Sequence, residues 1–405
     1  LGRIEHLERA ESRDLGLRVF VGKRAAIVAS GRVEPGEFAA LAERAVAMAR
    51  VVPEDPHIGL GPPAAPPDAA PLDLVDPDEP EVAVLIARAA AAEEAALAVP
   101  GVTNSEGAEA GWGRTEVALA TSAGFAGSYA RTGHSLSATA LAGAGTDMQR
   151  DYDYTSAVHL ADLEDPAALG TSAGKRAVAR LNPSRPPTAR LPVIFEARVA
   201  GSLLGHFAAA INGAAVARGT SFLKDRMESA VFASGITIHD DPVRHRGLRS
   251  RPFDGEGMPT ASRTLVAGGT LKSWILDLAS AHQLGLASTG HAVRGTSGPP
   301  QPAPSNLYLA PGTIPPEALM ADIGEGLLVT ELIGSGVNGI TGDYSRGAAG
   351  FMIRGGAIAE PVAEITIAGN LVQMFAALTP ASDLRFRRGI DSPSVRIEGM
   401  TMAGA

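Results

Sequence analysis

Between residues 53 and 80 the chain places nine prolines and seven acids, and not one lysine or arginine. Proline fixes φ and donates no backbone N–H, so neither a helix interior nor a sheet ladder survives that density. Like charges on the same stretch repel and extend it. The segment reads as an extended, solvated connector, and any core must be assembled on either side of it. A second proline-rich joint, Asn182-Pro183-Ser184-Arg185-Pro186-Pro187, marks a domain boundary. With 405 residues the chain can carry two domains, which we place at 1–188 and 189–405.

The connector also explains the charge. The net value is −9, and without those seven acids the remainder carries −2. No basic field is left to hold a phosphate backbone, which disfavours nucleic-acid binding. Cysteine is absent, so disulfides, thiolate metal ligands and a cysteine nucleophile are excluded. Aromatic residues make up only 4%, so Ala, Val, Leu and Ile must do most of the packing. The start, Leu1-Gly2-Arg3-Ile4-Glu5, is polar and shows no signal peptide, pointing to a cytoplasmic chain. Opening on Leu1 without Met, it reads as truncated at its start. The one membrane candidate, Val199 to Ala217, contains Gly201, Ser202, Gly205, His206, Asn212 and Gly213, and reads as a buried helix instead.

Residues 3–30 alternate apolar and polar side chains and predict β-structure. Helices are expected from Pro35 to Val51 and from Pro80 to Val99, antiparallel strands over 100–163, and a short helix from Pro166 to Leu181. The second half predicts a strand at Pro192–Phe195, a long apolar helix over Arg198–Arg218, many short Gly-punctuated β segments, and a helix near Leu271–Leu284. The expected class is α+β. An N-terminal α/β domain with mostly antiparallel strands and flanking helices precedes a β-rich, barrel-like domain with a buried apolar helix.

Generic catalytic motifs fail in context. Gly170-Thr171-Ser172-Ala173-Gly174 matches GxSxG, but a nucleophile elbow needs a strand before the serine, and a helix start precedes this one. Gly334-Ser335-Gly336-Val337-Asn338-Gly339 matches GxGxxG after a strand, yet turn and strand follow where a dinucleotide site needs a helix N-terminus. The His239-Asp240-Asp241 cluster with His245 reads as a strand-end turn. His206 lies in the apolar helix without a second ligand one turn on, because Ala210 and Ile211 occupy those positions. Asp343-Tyr344-Ser345-Arg346 stands out as four polar side chains among glycines, either a cleft loop that contacts a peptide or a partner, or a hairpin with a surface ion pair.

At this point the second half resembles a known family. Gly326-Leu327-Leu328-Val329-Thr330-Glu331-Leu332, Thr341 through Phe351 (TGDYSRGAAGF) and Glu364 through Leu371 (EITIAGNL) are similar to the TldD/PmbA family, in particular its PmbA (TldE) branch. The similarity extends back through Ser305-Asn306-Leu307-Tyr308 and Gly219-Thr220-Ser221-Phe222-Leu223. It covers the C-terminal half strongly and the N-terminal half by layout, and by it the family's first helix and strand would lie before Leu1. The TldD branch is a metallopeptidase with an HExxxH helix and a late cysteine ligand. PmbA-like chains are its non-catalytic partner in a heterodimer that cleaves unfolded peptides, peptide-toxin precursors and antitoxins in an enclosed cavity. Here the helix before Gly219 reads Leu203-Leu204-Gly205-His206-Phe207-Ala208-Ala209-Ala210, without HExxxH. The resemblance therefore implies no catalytic residue and no metal ligand in this chain, with zinc held by a TldD-like partner. The candidate cleft residues are His206, Thr220, Ser221, Asp343, Tyr344, Ser345 and Arg346. Two rival readings are a non-enzymatic peptide-binding or regulatory homodimer, and a hydrolase built on Ser345, Asp343 and a distant histidine.

Overall fold

Strands β1 (Leu15–Val21) and β2 (Arg24–Ser30) form an antiparallel hairpin, and helix α1 (Phe38–Val51) packs on it through Leu41 and Ala45 against Val28. The structure, a computed structural model, describes residues 2–404. The expected β region is shorter than residues 3–30. Seven of the twelve residues from 3 to 14 are charged, leaving too few apolar side chains to bury, and no strand forms there.

The proline-rich segment has no strand and only a single 3₁₀ turn at Ala70–Leu72, as its composition demands. It is not fully solvated, however. Leu72 and Leu74 are buried, and Asp76 lies 3.2 Å from the buried His134 imidazole. Asp73 accepts a 2.6 Å hydrogen bond from Arg246 Nε. The chain extends because of its prolines, and is strapped down because two leucines and two carboxylates find partners.

The central part follows as α2 (Val82–Leu97), β3 (Val102–Ala120), β4 (Ala126–Ala142), β5 (Gln149–Ala157) and α3 (Pro166–Ala179). The three strands make one antiparallel sheet in the order β3-β4-β5. Both helices pack on it through small residues, among them Ala92, Ala96, Ala173 and Ala177. A Cβ added at Gly170 would fall 1.9 Å from the Ala92 carbonyl oxygen. The GxSxG letters are thus a helix-packing surface, and Ser172 Oγ donates to Asp153 at 2.6 Å.

The remainder runs β6 (Ala189–Phe195), α4 (Ala197–Ala210), α5 (Gly213–Ala217), β7 (Ile238–Asp240), β8 (Arg263–Ala267), β9 (Thr270–Leu271), α6 (Leu278–Leu284), β10 (Ala292–Val293), β11 (Gln301–Pro302), β12 (Leu307–Leu309), α7 (Pro316–Met320), β13 (Glu325–Ile333), β14 (Asp343–Arg354), β15 (Ala357–Asn370), α8 (Leu371–Ala376), β16 (Leu378–Pro380), β17 (Ile390–Asp391) and β18 (Val395–Ala403). Strands β15-β14-β13-β6-β18 pair in that order, and β18 pairs back onto β15, closing a five-stranded barrel. Only β6 and β13 run parallel within it. A second sheet has the order β17-β12-β7-β8-β9. Leu203 and Phe207 of α4 share one core with barrel residues Val193, Val329, Ile367 and Ile397 and with Leu307 of the second sheet.

Three expectations are corrected here. The apolar helix over 198–218 is two helices, because the Asn212 side chain accepts hydrogen bonds from the Ala214 and Ala215 N–H groups (3.0 and 3.3 Å) and starts α5 afresh. The helix near 271–284 begins only at Leu278, where Asp277 and Ser280 form a capping box. Asp343–Arg346 is the start of barrel strand β14, not a loop, and Asp343 hydrogen-bonds Thr341 and Asn370 instead of pairing with Arg346. Among the described residues no helix is long and apolar enough to cross a membrane.

Candidate functional site

Helix α4 is buried on one face and open on another. Ala200, Leu203, Leu204, Phe207 and Ala208 recur at helical spacing and enter the core. The opposite stripe, Gly201, Ser202 and Gly205, borders a cavity of about 920 Å³. Gly201 lets β17 approach closely, since a Cβ there would lie 2.9 Å from the Ile390 carbonyl oxygen. At Gly205 a Cβ would meet nothing within 4 Å, because that position faces the open space. The other walls come from β5 and α3 of the central part, from Thr330 and Glu331 of β13, from Arg346 of β14, and from the segment around β17.

The walls are joined by ion pairs. Asp151 of β5 accepts from Arg198 of α4 at 2.6 Å and from Arg180 at 3.3 Å, and Arg180 also reaches Glu331. All of Asp151, Arg198 and Arg180 are at most 9% exposed in their side chains. Burial alone would raise the Asp151 pKa, but the two guanidiniums hold it below the ordinary carboxylate range. Burial likewise opposes the charge on Arg198, yet Asp151 overrides it and raises that pKa. Arg387 pairs with Asp153 at 3.1 Å and with Glu164, fastening the β17 segment to the same wall.

His206 stands beside this cavity. Its ring meets the Tyr344 ring edge-on with centroids 6.0 Å apart. His206 Nε2, Tyr344 Oη, Arg346 Nε and Thr330 Oγ1 are all buried without a hydrogen-bond partner among the described residues. Burial, followed by the Arg346 charge, lowers the His206 pKa and keeps the imidazole neutral. Burial pushes the Tyr344 phenol up to about 12 against the pull of Arg346, so it stays a donor at neutral pH.

Of the residues singled out from sequence, Arg346 lines the cavity, and His206 and Tyr344 pack next to it. Ser221 does not: it is buried, donating to the Ala210 carbonyl at 2.5 Å and accepting from the Leu223 N–H. Thr220 is exposed and donates to the Ala215 carbonyl, so both tie down the chain after α5. Asp343 and Ser345 are exposed on the alternate face of β14, away from Tyr344, as a period of two requires. Sequence reading missed Asp151, Arg180, Arg198, Arg249 and Arg388. Two signals were present: acids at alternate positions of Gln149-Arg150-Asp151-Tyr152-Asp153-Tyr154, which put carboxylates on the buried face of a strand, and the basic run Arg385-Phe386-Arg387-Arg388.

A divalent metal does not fit this donor set. Among the described residues no three His, Cys, Asp or Glu side chains are grouped to hold one. At α4 the available donors are one imidazole and one phenol, and the adjacent Arg346 guanidinium repels a cation.

Comparison with known proteins agrees with the architecture. Three family models match: PmbA/TldA metallopeptidase domain 1 over residues 1–49, the central domain over 75–181, and the C-terminal domain over 188–404. The chain is 37% identical to the metalloprotease PmbA of Escherichia coli O157:H7 over 406 residues, covering all of this chain and 88% of that protein. It is 35% identical to the metalloprotease PmbA homolog of Haemophilus influenzae, again over all of this chain and 88% of the relative. The crystal structure of TldE from Thermococcus kodakarensis superposes with a TM-score of 0.89 at 20% identity, covering 100% of this chain and 93% of that one. A fold, three consecutive domain models and full-length relatives coincide, and the chain belongs to the PmbA/TldD metallopeptidase family.

Proposed function

We propose that this chain is the PmbA/TldE-like subunit of a heterodimeric, cytoplasmic TldD–TldE-type zinc metalloprotease. In this reading it shapes the chamber and binds unfolded peptides, including peptide toxins and antitoxins. A TldD-like partner supplies zinc, the general base and hydrolysis.

The observation that carries the reading is the cavity wall at α4. A family of metallopeptidases meets, in this chain, a helix offering Gly201, Ser202, Gly205 and one neutral imidazole. That set can border a substrate and donate or accept hydrogen bonds, but it does not activate water through a metal. The cavity, about 920 Å³, suits a short extended segment. A folded domain of roughly 100 residues, with a radius of gyration near 13 Å, is far too large to enter.

The test is assembly. Native mass spectrometry of an equimolar mixture with a TldD-like chain should give a one-to-one complex. A mixture in which each chain forms only homodimers would favour the peptide-binding homodimer instead.

A further inference from the structure

The interdomain cavity has an unbalanced charge inventory. Its acids are all engaged. Asp151, Asp153, Glu164, Glu196 and Glu331 are in ion pairs. Asp383 accepts from the Ser394 N–H and hydroxyl, and Asp391 accepts three backbone N–H groups, from Arg387, Arg388 and Gly389. Three lining guanidiniums, Arg249, Arg346 and Arg388, have no carboxylate within ion-pair distance among the described residues. Arg346 is half-buried, and its Nε is a buried donor without an acceptor. Arg388 lies over the Tyr154 ring at 4.4 Å, which holds it at the same opening. The lining holds nine arginines against seven carboxylates, so the space carries a surplus of positive charge, and unmet buried donors cluster beside Arg346.

We infer that the cavity is a carboxylate-binding site, in which Arg346 receives the carboxylate of an unfolded peptide while Arg249 and Arg388 draw it in. A guanidinium donates to a carboxylate in charge-assisted, often paired hydrogen bonds, and partial burial strengthens them. The two exposed arginines add positive potential at the opening and raise the encounter rate. Two sources share this chemistry, the peptide's C-terminus and an Asp or Glu side chain. The inference rests on the reading of this chain as the peptide-binding subunit, but it needs neither the partner nor hydrolysis.

Fluorescence anisotropy on the full chain alone tests it, with three labelled ten-residue probes of Ala, Gly and Ser. The first ends in a free carboxylate, the second is its C-terminal amide, and the third is an amide carrying one internal Glu. The free acid, the internal-Glu probe, or both should bind at least tenfold more tightly than the plain amide, and which one does identifies the source. Arg346→Gln should weaken the preferred probe far more than the plain amide and so erase the preference, and Arg346→Lys should retain part of it. Exposed Arg388→Gln, which does not threaten folding, should weaken the preferred probe about threefold and lower its sensitivity to salt. Equal binding of all three probes would overturn the inference, as would an Arg346→Gln variant that weakens all three alike. If the preference holds but no TldD-like chain ever yields hydrolysis, the carboxylate site stands and the subunit reading fails. Hydrolysis on mixing with no carboxylate preference means the converse.

Discussion

His206 illustrates what a single side chain does when its surroundings refuse a proton. Its pKa lies below 6.5 because burial disfavours the imidazolium, and Arg346 adds like-charge repulsion. In the unfolded chain the same group titrates near 6.5. Below that pH the unfolded state binds more protons than the folded one, so stability is complete above about pH 6.5 and falls as the pH drops toward the folded value. His206→Gln should therefore make the change in urea midpoint from pH 7.5 to 5.5 less negative, by removing the His206 share of it. The remaining slope combines His134, whose pKa burial also lowers, with Glu256, which burial pushes up to about 7 and which acts in the opposite direction, adding stability as the pH falls. An unchanged pH dependence in His206→Gln would contradict this account. Sequence alone marked His206, Tyr344 and Arg346 as polar residues in apolar or Gly-rich surroundings. It did not reveal that they meet, because α4 and β14 are more than a hundred residues apart and only barrel closure joins them. It also placed Ser221 in the cleft, because a hydroxyl that satisfies a helix-end carbonyl has the same letter as one that touches a ligand.

At the scale of the element, α4 separates two kinds of glycine. Gly201 is needed because β17 passes too close for a side chain, whereas Gly205 borders open space. Gly201→Ala should destabilise the fold by about 1–3 kcal/mol, the cost of forcing atoms into a packed contact. Gly205→Ala should be neutral or stabilise by up to about 1 kcal/mol, since alanine restricts the unfolded chain and favours helix. Chemical denaturation of the two variants checks both, and equal destabilisation would show that Gly205 does not face the cavity. Most elements were legible from periodicity. Helices at 35–51, 80–99 and 166–181 were expected, and α1, α2 and α3 fall within those spans. Boundaries were lost where a local hydrogen bond outweighed hydrophobic pattern, at Asn212 and Asp277. The α+β class, the antiparallel central sheet and the barrel-like second half were all readable.

At the scale of the whole molecule, the central sheet and the barrel are held around the cavity by buried charge. Asp151→Ala would leave buried Arg180 with Glu331 alone and buried Arg198 with only Glu196 at 3.8 Å, and should cost up to about 3 kcal/mol in a denaturant melt. A loss below about 1 kcal/mol would mean that the two guanidiniums find water. This network was invisible to pattern reading, because ion pairs between residues 151, 180, 198 and 331 follow from tertiary placement and carry no period. Family resemblance supplied what physical reading of the letters could not, the expectation of a companion chain. The central claim is that chamber and chemistry reside on different polypeptides. It is tested most directly by the initial rate of cleavage of an unfolded peptide, measured together with bound zinc, for this chain alone and after mixing with a TldD-like chain. The account predicts no turnover and no stoichiometric zinc for the chain alone, and turnover on mixing. Zinc-dependent cleavage by the chain alone would contradict it.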